Sequence, residues 1–134
     1  MRRWWPVGSV ALLVLLLHAL PGSELDTAPW WALWRLDALL HSAMFALLAT
    51  AGLIAVVKGR LLSSQAARFE LFSRAMRWIV PVCVLYGVLL ECAQWLVFSG
   101  RGADWTDVLA DALGAGLGAA AFWALYLRSV ARNI

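Results

Sequence analysis

Charged residues are scarce in this chain of 134 residues, making up 14% of it, whereas 63% of its residues are hydrophobic. A water-soluble domain of this size needs charged residues on every helix, but here they collect in short segments between long apolar runs. This scarcity excludes an ordinary water-soluble globular domain. It favours an integral membrane protein whose main solvent is lipid.

Cysteine is also scarce, and several functional signatures are missing. The two cysteines lie nine residues apart on one predicted helix, roughly 13 Å along its axis, which excludes a disulfide between them. No clustered basic patch on a soluble scaffold accompanies the net charge of +3, so no nucleic-acid partner is expected. No nucleophile elbow and no paired-histidine zinc motif is present, and we expect no metal and no cofactor.

Four apolar runs are present, at about residues 4–20, 36–57, 78–98 and 106–127. Each approaches the 20 residues that a hydrocarbon core of about 30 Å requires of a helix. The sequence therefore predicts an all-α fold, an integral membrane bundle of four transmembrane helices that forms a single membrane domain over residues 1–134. The first run also resembles a secretory signal peptide, and its cleavage would leave three helices with unchanged orientation.

The loops between the runs differ in basic content, which predicts orientation. Positive residues gather between the second and third runs and at both termini, and the other two loops hold only Arg35 and Arg101. Because cytoplasmic loops carry the excess of Lys and Arg, both termini should be cytoplasmic and residues 58–77 should form a basic cytoplasmic loop. Phe69, Phe72 and Met76 repeat at helical spacing in that loop, which predicts an interfacial helix.

Polar side chains mark the outer ends of the last three predicted helices. They are Asp37 and His41 on the second helix, Glu91 and Gln94 on the third, Asp104, Asp107 and Asp111 on the fourth, and Arg101 in the loop before it. On each helix the spacing of three or four residues places them on one side. His41, Glu91 and Asp111 each lie on the order of 7 to 10 Å below the outer helix ends. Since a charge at such depth is costly in lipid, we expect one shared binding pocket inside the bundle.

Two glycines continue the polar side of the fourth helix inward. Gly114 and Gly118 follow Asp107 and Asp111 by seven residues each, so they lie on the same side and allow a neighbouring helix to approach closely. The helix they pack against can belong to the same chain or to a second copy. The sequence is therefore compatible with a homo-oligomer as well as with a monomer.

Simpler structural roles are also open for several of these residues. Asp104 and Asp37 can cap helices, Arg101 can form a structural ion pair, and His41 can be a hydrogen-bonded core residue. Glu91 and Asp111 are hardest to explain in this way, because they are carboxylates deep in apolar runs. A divalent ion held by Glu91, Asp107 and Asp111 is an alternative that the ligand types permit. His18 has no polar neighbour on its own helix, and the sequence assigns it no role.

The order of these residues resembles the VanZ-like family over roughly residues 36–120. The matching segments are Asp37-x-x-x-His41 with Phe45, Tyr86-Gly87, Glu91-x-x-Gln94, and Arg101-x-x-Asp104-x-x-Asp107-x-x-x-Asp111-x-x-Gly114-x-x-x-Gly118. The resemblance implies a small bacterial multi-pass protein of the cytoplasmic membrane, and its namesake is associated with resistance to teicoplanin. This chain has Asp111 where the family commonly has Asn, and Ala38 where it often has Lys.

Three functions compete. The sequence favours a non-enzymatic pocket at the outer face that binds a membrane lipid or lipid-linked envelope molecule. The alternative is an intramembrane enzyme, in which His41 acts as acid or base, Asp37 or Asp107 orients it, Arg101 steadies a headgroup, and Glu91 is a further catalytic candidate. In the third, the polar residues only lock helices together in an accessory subunit.

Overall fold

The computed structural model describes residues 3–19, 30–58, 60, 64–96 and 104–131, and the side chains of all these except 30–35 and 129–131. It contains four helices: α1 Trp5–His18, α2 Trp30–Val57, α3 Gln65–Leu96 and α4 Trp105–Ala131. Within the described ranges there is no strand, so the predicted all-α fold is confirmed. Pro6 lies in the first turn of α1, where its missing N–H group leaves no helical hydrogen bond unmade.

Three of these helices are long and apolar enough to cross a membrane. The crossing segments are Leu36–Val57, Gln65–Leu96 and Trp105–Arg128, which makes the chain a multi-pass membrane protein. The 14 residues of α1 are apolar but extend only about 21 Å, less than a hydrocarbon core of about 30 Å. Residues 20–29, which include the predicted end of the first span, lie outside the described ranges. A fourth crossing stays a prediction.

Helix α3 begins at Gln65, well before the start near residue 78 that hydropathy suggested. Residues 65–77, assigned from sequence to a basic loop with an interfacial helix, are continuous with the third span. The amide of Ala67 donates to Ser64 Oγ at 3.1 Å, which caps the new start. Phe72 then stacks on Trp123 of α4 with ring centroids 4.3 Å apart. Capping and aromatic packing therefore extend the helix beyond its apolar run.

The centre of the bundle is the contact between α2 and α4, the most extensive between any two of the described helices. Gly114 and Gly118 lie directly against the backbone of Ser42 and Ala46, and a Cβ atom at either glycine would overlap a carbonyl oxygen of α2. Ser42 Oγ donates to the carbonyl oxygen of Ala110 at 3.0 Å, a hydrogen bond between the two helices. Small residues thus allow close backbone approach, the usual basis of helix association in lipid.

Helices α1 and α3 complete the bundle beside α2. Val14 of α1, Phe45 of α2 and Leu90 of α3 are buried in one apolar cluster. The hydroxyl of Tyr86 donates to the carbonyl oxygen of Ala11 at 2.7 Å, which ties α3 to α1. Many large apolar side chains remain exposed on the outer surfaces of all four helices, as expected where lipid is the solvent. The described part of α1 is therefore an integral part of the bundle.

Gly118→Ala should destabilise the bundle, because its new methyl group would overlap Ala46 backbone atoms that cannot move independently of α2. We expect a loss of about 1 to 3 kcal/mol, the usual cost of overpacking. Gly116→Ala is the matched control: no heavy atom lies within 4 Å of its added Cβ, and alanine favours helix over glycine by about 1 kcal/mol. Thermal unfolding in detergent compares the two, and equal midpoints would contradict this account of the α2–α4 contact.

Candidate functional site

One end of the bundle contains a group of polar side chains, which we call the polar cluster; all are buried or half-buried except Asp104, which is exposed. All four helices contribute to it or to its edge. Its members are His18 of α1, Asp37 and His41 of α2, Glu91 and Gln94 of α3, Asp107 and Asp111 of α4, and Asp104 just before α4. The structure therefore brings together every described residue that the sequence placed in a binding pocket, and it adds His18. Arg101 lies outside the described residues.

His41 is at the centre of the polar cluster and is only 3% exposed. Its Nδ1 atom lies 2.9 Å from Asp111 Oδ1. Its Nε2 atom lies 3.8 Å from Asp37 Oδ1 and 3.9 Å from Asp107 Oδ2, too far for direct hydrogen bonds. An ionised carboxylate only accepts hydrogen bonds, so beside an ionised Asp111 the Nδ1–H group of His41 donates. The His41 ring is thereby held with Nε2 near two further carboxylates.

Asp111 is the most buried carboxylate of the polar cluster, with no exposed surface. Among the described residues, His41 is the only side chain in ion-pair contact with it. Its second oxygen, Oδ2, lies against Gly87 of α3, where an added Cβ atom would collide with it. Gly87 therefore leaves room for the carboxylate that orients His41.

Glu91 connects α3 to the start of α4. Its Oε2 atom accepts a hydrogen bond from the backbone amide of Asp104 at 3.0 Å, and the side chain is buried. Asp104 Oδ1 in turn accepts from the amide of Thr106 at 2.8 Å. Asp104 thus has the N-cap role that its position before the fourth apolar run permitted. Its carboxylate is engaged at the helix start, whereas its amide fixes the orientation of Glu91.

Gln94 also makes a structural contact. Its Nε2 atom donates to the backbone carbonyl oxygen of His18 at 3.1 Å. The last carbonyl groups of a helix have no partner within the helix, so this bond satisfies one of them at the end of α1. Gln94 therefore joins α3 to α1 immediately beside His41 and Glu91.

His18 is the functional candidate that sequence reasoning missed. It is 2% exposed, and its ring lies edge-on to that of His41 with centroids 4.7 Å apart. Its Nδ1 atom lies 2.8 Å from the carbonyl oxygen of Val14, which can only accept, so Nδ1 carries the proton. No residue on its own helix signalled this environment, because its polar neighbours come from α2 and α3. Its position at the outer end of the first apolar run was the available signal.

Among the residues that the structure describes, two overlapping sets of side chains bring potential metal-ligand atoms within 4.8 Å of one another. The first, which we call the inner set, consists of His18, His41 and Glu91, all buried. The second, the open set, consists of Asp37, His41 and Asp107, and both of its carboxylates retain some exposure. His41 belongs to both sets. The polar cluster therefore has a dry side rich in imidazole and a more accessible side rich in carboxylate.

Comparison with known proteins identifies a family. The VanZ/LLP1 family model matches residues 9–127, a range that includes every member of the polar cluster. No curated protein and no solved structure matches the chain.

Replacement of Asp111 should separate its hydrogen-bonding role from its charge. In Asp111→Asn the side-chain oxygen can still accept from His41 Nδ1, so stability should stay within about 1 kcal/mol of the parent. In Asp111→Ala the buried imidazole loses its partner, and we expect a loss of about 1 to 3 kcal/mol. Thermal unfolding in detergent measures both variants. Equal losses in the two would show that charge, rather than the hydrogen bond, holds the ring.

Proposed function

The chain belongs to the VanZ/LLP1 family, and from that premise we propose that its polar cluster binds the polar headgroup of a membrane lipid or lipid-linked envelope molecule. The site would face the outer side of the bacterial cytoplasmic membrane. The open set carries this proposal, because it combines buried and accessible polar atoms at one end of a membrane bundle. Polar residues within transmembrane helices generally mark a substrate or ligand site.

The chemistry of the open set favours a headgroup that donates hydrogen bonds. The side chain of Asp37 is 35% exposed and that of Asp107 is 13% exposed, and both carboxylates lie just under 4 Å from His41 Nε2. Carboxylates accept hydrogen bonds and attract cations, whereas they repel phosphate. We therefore propose that the bound group presents amine or hydroxyl functions, as an aminated or glycosylated headgroup does.

Orientation of the site is supported by the basic residues at the other end of the bundle. Lys58 and Arg60 follow α2, Arg68 and Arg74 lie in the first turns of α3, and Arg128 is near the end of α4. Each of these basic side chains is at least partly exposed, and cytoplasmic ends of spans are rich in such residues. We propose that both termini are cytoplasmic, that α1 belongs to a fourth span, and that the polar cluster lies at the outer face.

The apolar part of an amphiphile also has a candidate position. A cleft of about 410 Å³ lies between α1, α2 and α3, and its walls include Trp4, Leu48 and Trp78. It extends to Tyr86, five residues before Glu91 on α3 and so about 7 to 8 Å closer to the basic end. An acyl chain in this cleft and a headgroup at the polar cluster would lie along the same helices. This alignment supports an amphiphile over a water-soluble ligand.

A second candidate, intramembrane acid–base catalysis, is favoured by one observation. His41 is oriented by Asp111 through Nδ1, and its Nε2 atom lies 3.8 Å from Asp37 Oδ1 and 3.9 Å from Asp107 Oδ2. A histidine held in this way can take or give a proton to a group bound between Asp37 and Asp107. Headgroup binding requires only a complementary site, whereas catalysis also requires a reacting group at His41. Turnover of a bound lipid distinguishes the two functions.

Native mass spectrometry of the protein purified in lipid nanodiscs tests headgroup binding. The parent should retain a lipid or lipid-linked sugar. Asp107→Asn removes a charged acceptor worth about 1.5 to 3 kcal/mol, so retention should fall at least about tenfold. Glu70→Gln is the matched control, since Glu70 pairs only with Arg74 among the described residues and is exposed far from the site. An identical adduct in all three proteins would refute the assignment.

If His41→Ala and Asp107→Asn both leave a bound lipid intact but abolish its conversion, catalysis replaces binding as the function. If they prevent accumulation of folded protein and Asp37→Asn does the same, the polar cluster is a structural lock. A changed glycopeptide susceptibility of cells that express the parent, lost in Asp107→Asn, would connect binding to the phenotype associated with the family's namesake.

Cysteine labelling tests the proposed orientation. Trp105 is 76% exposed at the start of α4, and Ser64 is exposed at the start of α3. In a Cys92→Ser background, an impermeant maleimide added to intact cells should label Trp105→Cys and should not label Ser64→Cys until the cells are permeabilised. The opposite pattern would place the polar cluster on the cytoplasmic side and remove the basis for an envelope ligand.

A further inference from the structure

We propose that the inner set, His18, His41 and Glu91, binds a divalent transition-metal ion of the zinc type where α1, α2 and α3 meet. The sequence alone predicted no metal, because it gave His18 no role and left one histidine among carboxylates. The inference goes beyond headgroup binding and does not depend on it.

Geometry is the first support. One potential ligand atom from each of the three residues lies within 4.8 Å of the others. Ligands bound at 2.0 to 2.2 Å in a tetrahedral site are about 3.4 Å apart, so small side-chain rotations would close the site around an ion. The three residues come from three different helices, so the packing of the bundle, rather than the spacing along one helix, brings them together.

Both imidazoles are prepared for coordination through Nε2. Nδ1 of His18 is occupied by the Val14 carbonyl oxygen at 2.8 Å, and Nδ1 of His41 by Asp111 Oδ1 at 2.9 Å. Metal-bound histidines almost always donate their other ring N–H group to a carbonyl or a carboxylate, which fixes the ring and raises its basicity. In the inner set, the partner of His18 is a backbone carbonyl and the partner of His41 is a carboxylate.

Glu91 supplies the third ligand and is oriented in the same manner. Its Oε2 atom accepts the amide of Asp104 at 3.0 Å, so the carboxylate is held in place by the backbone at the start of α4. All three ligand residues are buried, at 2% to 3% exposure. A dication in this dry region would offset the charge of the buried carboxylates Glu91 and Asp111.

The donor types indicate which class of ion is bound. Two imidazole nitrogens and one carboxylate oxygen suit zinc and its first-row neighbours, whereas magnesium and calcium prefer oxygen ligands alone. Three protein ligands leave a fourth position for water or a headgroup atom. The open set, with two partly exposed carboxylates, is the competing position and shares only His41.

Cobalt(II) is the probe, since it occupies zinc sites and absorbs visible light. The protein in detergent is stripped with EDTA, delipidated and titrated with Co²⁺, and bound metal is measured by elemental analysis. We expect one Co²⁺ per chain, with visible bands that Zn²⁺ abolishes. Asp111→Asn, which weakens the support of His41, should reduce affinity about 10- to 100-fold.

Two variants of the inner set and two controls complete the test. His18→Ala and Glu91→Gln should each lose the visible bands, and Glu91→Gln can still accept the Asp104 amide, so it keeps the local fold. Asp107→Asn should weaken Co²⁺ binding much less than His18→Ala does, because Asp107 is not a member of the inner set, and Glu70→Gln, exposed far from the polar cluster, should bind Co²⁺ like the parent. Absence of binding to the folded parent, binding that survives in Glu91→Gln, or loss in Asp107→Asn alone would overturn the assignment. Because lipid retention is measured separately with EDTA present, failure of either proposal leaves the other testable.

Discussion

The hydrogen bond between His41 Nδ1 and Asp111 Oδ1 joins α2 to α4 inside a bundle whose surroundings are lipid. Neither side chain can turn toward the lipid without a cost in free energy, because a charged or polar group facing hydrocarbon is unfavourable. The bond forms only if the two helices approach closely, and Gly114 and Gly118 permit that approach against Ser42 and Ala46. Gly87 then leaves space for the second oxygen of Asp111. Small residues on two helices thus determine where one imidazole ring points.

Much of this arrangement could be predicted from the sequence. Apolar runs of about 20 residues predicted four membrane crossings, and three of the described helices are long and apolar enough to cross, because length and composition are local properties. Matching depths of His41, Glu91 and Asp111 predicted a shared site, since helical rise is nearly constant. The structure adds the partners: Asp111 binds His41 directly, and Glu91 binds the backbone of Asp104.

Other features could not be predicted, for a common physical reason. The start of α3 at Gln65 depends on the stacking of Phe72 on Trp123, which is 51 residues away in sequence. The role of His18 depends on His41 and Gln94, which lie on other helices. Periodicity describes one helix at a time and contains no information about which helices touch. Gln94 illustrates the same point, because the polar stripe on α3 contained no sign that its amide would donate to the last residue of α1.

His41 belongs to both the inner and the open set, which has a consequence for any ligand bound there. Nδ1 of His41 is engaged by Asp111, so the ring has one nitrogen, Nε2, left either to coordinate an ion with His18 and Glu91 or to interact with a group between Asp37 and Asp107. The open carboxylates would then be left to hold the donor groups of a headgroup. Occupancy of the two sets is therefore coupled through the His41 ring.

The sign of that coupling follows from charge. A dication beside Asp37 and Asp107 weakens the attraction of these carboxylates for an amine, and it strengthens the attraction of the site for a hydroxyl or phosphate oxygen. The charge state of the inner set would thus select the chemistry of the headgroup that the open set accepts.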